Sequence, residues 1–146
     1  MISFIRINHV YGFQINKMAQ SFKDLYLGDY NLEHGIEFVG LITKNGCLVD
    51  SQDKNGLNLS REQKEMFFMS CSLQQKMHQD YNDIFGLVRY TVIERENNRI
   101  ITIPQESGTL IFVMDKNGEF LSRVRTLMDA IQHAKNLESS INPVVT

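Results

Sequence analysis

Between Gly56 and Gly86 no glycine or proline interrupts the chain. These two residues are the strongest punctuators of local structure, so a stretch of this length without either accommodates one long helix and little else. Inside it Met66, Met69, Leu73, Met77 and Tyr81 recur at three- and four-residue spacing, the period of a single helical face. Ser60 stands at the head as an N-cap, and Gln63 completes the Ser-x-x-Gln pattern of a capping box. A single rod is predicted from Ser60 onward. Phe67 and Phe68 widen its apolar stripe past half of the circumference, more than one sheet covers. Two readings fit equally: methionines as adaptable core filler, or a face that receives a partner or a second copy.

The flanking segments read as strands and shorter helices. An amphipathic helix is expected from about Gln14 to Leu27, with Ile15, Met18, Ala19, Phe22, Leu25 and Tyr26 on one face and Gly28 to end it. Residues 36–43 and 47–51 form a predicted hairpin about Asn45-Gly46, read as a two-residue turn. Val39 and Leu41 share one face of the first strand with Glu37 and Thr43, while Ile36, Phe38 and Ile42 take the other. Both faces are therefore expected to be covered for part of its length. After Gly86, three β-rich segments (Leu87 to Glu94, Arg99 to Pro104 and Thr109 to Met114) form a meander, divided at Asn97-Asn98 and at residues 104–108. A last helix is expected from about Glu119 to Leu137, with Phe120, Val124, Leu127, Met128, Ile131 and Ala134 on one side. Residues 1–13 fit an extra strand or an irregular lead-in, 14–137 a single domain, and 138–146 a frayed tail.

A chain of 146 residues with 42% hydrophobic content and a formal charge of −2 suits one compact core. Its interspersed charges provide no basic field for nucleic acid or an anionic membrane. No apolar stretch approaches the roughly 20 residues of a membrane helix, and the opening Met1-Ile-Ser-Phe-Ile-Arg6 has neither the long apolar centre nor the small-residue cleavage site expected of a leader. A cytoplasmic protein is expected. Cys47 and Cys71 are too few for a disulfide framework and lack zinc-site spacing, so both are read as small buried or half-buried thiols.

No active site composes itself from the residues. Ser51-Gln-Asp53-Lys-Asn55-Gly56 with Glu62 imitates a calcium loop. Ser51 replaces the usual first acid and Asn58 an apolar residue, and a strand precedes the loop, so a plain polar turn before a capped helix is the reading. His9, His34, His78 and His133 fall on separate elements. His78 and Asp80, two apart on a helix, point in different directions. Phosphate-cradling glycine motifs and nucleophile elbows are absent from the sequence. No catalytic residue, metal or cofactor is assigned.

The order α-β-β-α-β-β-β-α, a five-stranded antiparallel sheet with helices on both faces, resembles the roadblock family, the light-chain type domains allied to longin and profilin-like folds. The residues carrying the resemblance are Gly35-Ile-Glu-Phe-Val-Gly-Leu-Ile-Thr-Lys-Asn-Gly-Cys-Leu-Val49 as opening hairpin and Leu87-Val-Arg-Tyr-Thr-Val-Ile93, Ile100-Ile-Thr-Ile-Pro104 and Thr109-Leu-Ile-Phe-Val-Met114 as meander. They also look like uncharacterised archaeal members. The resemblance implies a dimer in which the long helix and first meander strand meet across a two-fold axis, and a scaffold or regulator that works with small Ras-like GTPases. On this sequence that seam falls on Met66, Phe67, Ser70, Leu73, Met77, Val88, Tyr90 and Val92, and the partner is a second copy or a related roadblock-like subunit. A PAS-like or profilin-like sensor of small molecules is the alternative, and an unrecognised enzyme using His78 with Asp80 or Cys71 is a third.

Overall fold

The structure is a computed structural model describing residues 35–53, 57–116 and 120–141, with some side chains of the last segment left out. The expected helix at 14–27, the lead-in 1–13 and residues 142–146 lie outside the described residues. The chain divides into two units, Leu32–Lys116 and Met1–Asn31 together with Asn117–Thr146.

The first unit contains a five-stranded antiparallel sheet in the order β2-β1-β5-β4-β3. Its strands are β1 (Ile36–Thr43), β2 (Leu48–Asp53), β3 (Thr91–Glu94), β4 (Arg99–Gln105) and β5 (Gly108–Met114). Helices α1 (Arg61–Gln79) and α2 (Asn82–Phe85) lie between β2 and β3. In the second unit, α3 spans Phe120–Ile141 and runs past the expected end at Leu137; Val124, Leu127 and Ile131 are buried and Met128 is half-buried.

The hairpin forms at the expected place with a different turn. Gly46 N–H donates to the Thr43 carbonyl at 3.0 Å, and Thr43 N–H to that of Cys47 at 2.8 Å. Three residues thus make the loop, and only Gly46, at φ 83°, takes the left-handed conformation. The turn seats on α1: a Cβ on Gly46 would lie 3.0 Å from Met69 Cα. Strand alternation places Phe38, Ile42, Ile100, Ile111 and Val113 in one buried cluster with Phe68 and Cys71 of α1. The Phe38 and Phe68 rings stack at 6.0 Å. Gly40 makes room for this, because a Cβ there would meet the Phe38 ring at 2.8 Å. The reverse face, with Val39, Leu41, Ile101, Ile103, Leu110 and Phe112, is buried as well. The expectation of a first strand buried on both faces holds.

Three expectations are corrected. The rod ends at Gln79, and after Asp80 and Tyr81 a one-turn helix follows; Asp80, Asn82 and Asp83 are weak helix formers in close succession, so the helix breaks with no glycine or proline. The first meander strand shortens to Thr91–Glu94: β4 runs on to Gln105 but pairs with β3 only from Arg99 to Thr102, beyond which Pro104 has no N–H to donate, and residues 86–90 belong to no strand. Cys47, at the end of the hairpin loop, is exposed, whereas Cys71 is buried.

Candidate functional site

Helix α1 starts where its capping box predicts. Gln63 N–H donates to Ser60 Oγ at 3.2 Å and Ser60 N–H to Gln63 Oε1 at 2.9 Å. It buries Phe68, Cys71 and Ser72 against the sheet. The opposite side is apolar and exposed: Met66 retains 68% of its accessible surface, Leu73 59% and Met77 60%. A soluble helix ordinarily presents the reverse pattern. Met69, also exposed, flanks the same stripe. Glu65 and Lys76 border it on one side, Gln63 and Gln74 on the other, so the rim carries both charge signs.

The structure brings part of the expected seam together. Met66, Ser70, Leu73 and Met77 lie along the exposed side of α1, and Ser70 Oγ–H turns back to donate to the Phe67 carbonyl at 2.8 Å. Phe67 sits at the flank, half-buried against Phe68 with ring centroids 5.6 Å apart. Val88 and Val92 are half-buried and Tyr90 is exposed. Val92 pairs with Ile101, on the sheet face away from α1. Strand β3 is an edge strand, paired only with β4, so its outer backbone groups face away from the sheet without a strand partner among the described residues.

Sequence periodicity reached Tyr81 but missed Ile84 and Phe85 beyond it. Tyr81, Ile84, Phe85 and Leu87 are exposed, the last two at 80%. With His78, Gly86 and Val88, Tyr81 and Phe85 line an open apolar groove of about 280 Å³. The signal was the density of apolar residues about Gly86, which follows neither helical nor strand period.

Chemically the unit is quiet. Burial pushes the Cys71 thiol up to about 11, so it packs as a protonated, apolar group. His78 and Asp80 are both exposed, and what joins them is a backbone bond, Asp80 N–H to the His78 carbonyl at the end of the helix. Ser51, Gln52 and Asp53 are in β2, and residues 54–56 of the calcium-like segment lie outside the described residues. Among the described residues no three acids, histidines or cysteines gather to hold a metal. No helix among them is long and apolar enough to cross a membrane.

An antiparallel β2-β1-β5-β4-β3 sheet backed by a long helix matches solved structures. The Roadblock/LC7 domain from Streptomyces avermitilis superposes with a TM-score of 0.54 at 12% identity, covering 73% of this chain and 86% of that one. This is a roadblock fold. MglB from Myxococcus xanthus gives 0.57 at 15% identity over 74% and 82% of the two chains. An MglB structure with a tetrameric arrangement gives 0.55 at 13% over 82% and 90%. No family model and no curated protein matches the sequence. The roadblock likeness therefore lies in the course of the backbone, which hydrophobic pattern and topology specify with few shared residues.

Proposed function

We propose that this roadblock-fold chain is a non-enzymatic module that self-associates and acts as a scaffold or regulator. The seam is the outward side of α1 with β3 and the segment leading into it, comprising Met66, Phe67, Ser70, Leu73, Met77, Val88, Tyr90 and Val92. A second copy is its occupant, or a related roadblock-like subunit, and the resemblance adds a small Ras-like GTPase as the class of client.

The observation that carries the reading is the inverted helix: Leu73, flanked by Met66 and Met77, stays more than half exposed directly opposite the buried Phe68 and Cys71. Apolar surface of this extent beside an open strand edge favours coverage by another chain. The rim carries both signs, Glu62 and Glu65 with Lys76, so acid can meet base across a copy of itself. The tetrameric arrangement of one similar MglB structure is in keeping with association. Of the region after Ser60, nineteen residues stay in one helix before the break at Asp80, which favours this reading over the sensor alternative, where several short helices surround a pocket.

Multi-angle light scattering of the wild-type chain at roughly tens of micromolar should give twice the monomer mass, as expected for a micromolar or tighter dimer. Leu73→Glu should weaken association by about 2 kcal/mol or more, the scale of a central apolar anchor. A monomeric wild type, or a dimer indifferent to Leu73→Glu, would sink the proposal.

A further inference from the structure

The outward stripe can meet a partner only if α1 keeps one rotation and one height above the sheet. The contacts that hold it change character along its length. Toward the N-terminal end they are apolar, with Phe68 stacked on Phe38 and Cys71 in the same cluster. From Ser72 onward they are polar. Ser72 Oγ–H donates to the Lys44 carbonyl in the β1–β2 turn. Gln75 Nε2–H donates to Thr102 Oγ1 of β4 at 3.1 Å. Thr102 is 2% exposed, and its hydroxyl is hydrogen-bonded to that of Thr91, the residue directly opposite it on β3.

We infer that the Gln75–Thr102–Thr91 chain registers the helix half of the seam with the strand half, and that these three are positioning residues for self-association. The inference rests on the self-association reading above. Apolar contact is non-directional and lets a helix roll or slide, whereas a hydrogen bond weakens steeply off its line. At 3.6 residues per turn Leu73 and Met77 each lie roughly 200° around the helix from Gln75. Fixing Gln75 inward therefore aims both of them outward. The chain ends at Thr91, between Tyr90 and Val92 of the proposed seam, so a shift of α1 at Gln75 is felt by that strand. Apolar residues of the same shape would hold the fold about as well, because replacing both partners of a buried hydrogen bond is nearly neutral to stability. What the polar chain adds is orientation.

The variant Thr91→Val with Thr102→Val removes both hydroxyls while keeping side-chain shape and strand preference. Dissociation constants are measured by sedimentation velocity. Folding is followed by urea titration in a Leu73→Glu background, where association contributes nothing. We expect association about tenfold weaker, the scale of one or two net hydrogen bonds, with an unchanged urea midpoint. Thr91→Ser with Thr102→Ser, which retains both hydroxyls, should restore affinity to within about twofold. Gln75→Leu, at the half-exposed end of the chain, should weaken association in the same way, and it decides the matter if the valine pair does not fold. Wild-type affinity in these variants, with a wild-type dimer that Leu73→Glu still splits, overturns the registering role and leaves the seam standing. So does a loss of folding stability as large as the loss of affinity, because the threonines would then be ordinary packing. A monomeric wild type, or a dimer indifferent to Leu73→Glu, overturns both.

Discussion

Strand β5 and helix α1 are both rich in apolar residues, yet every residue of β5 is buried and only Phe68, Cys71 and Ser72 of α1 are. The strand lies at the centre of the sheet, between β1 and β4, so both of its edges are paired, and its residues are buried on both faces. The helix has one face against the sheet. Its remaining leucine and methionines contribute nothing to the core that holds the fold. The contrast separates two uses of the same residue types: in β5 apolar side chains stabilise the chain against unfolding, and on α1 they are, in the reading proposed above, surface for a second copy.

Mutations should divide along that line. The largest expected effect on folding is at Phe112, which is fully buried; Phe112→Ala should cost about 3–5 kcal/mol, read as a fall in the urea midpoint, where Leu73→Glu changes mass and leaves the midpoint nearly in place. A loss at Leu73 equal to that at Phe112 would erase the distinction. Gly46→Ala tests where the two regions are joined. Its φ of 83° and the 3.0 Å approach of a Cβ to Met69 Cα put strain on backbone rather than on a yielding side chain, so a cost of about 1–3 kcal/mol is expected, together with weaker association as α1 is pushed off its seat. A stabilised Gly46→Ala would show that the turn does not hold the helix. Ser60→Ala, the smallest effect, removes one half of the capping box and should lower stability by about 1 kcal/mol. Its dissociation constant should stay near wild type, since the cap lies outside the seam.

Much of this was legible from residue types. The capping box at Ser60 and Gln63, the stripe from Met66 to Met77, and the alternation that divides Phe38 and Ile42 from Val39 and Leu41 are local or periodic features, and each appears where the sequence puts it. The misses share a physical origin. The helix break after Gln79 arises from polar residues with only moderate helix penalties, whose sum no single residue announces. Strand β3 is shorter than its β-branched run although β4 continues to Gln105, because pairing is settled between residues distant in the chain and not by β-propensity alone. Cys47 is exposed because the hairpin loop holds three residues rather than two, a matter of backbone conformation at Gly46. The Gln75–Thr102–Thr91 chain has no local signal: Gln75 and Thr102 are 27 positions apart and each is unremarkable alone.

The amino-acid sequence alone determined the alternation of helices and strands, the start of α1, the two buried faces of β1 and the excess of apolar residues on one helix, because all of these follow from interactions within a turn or from a repeating period. Tertiary structure decided which side of α1 faces away from the sheet, which strand is left at the edge and which polar side chains tie the two together. Those depend on contacts between residues far apart in the chain, and only the assembled sheet and helix bring such residues within bonding distance.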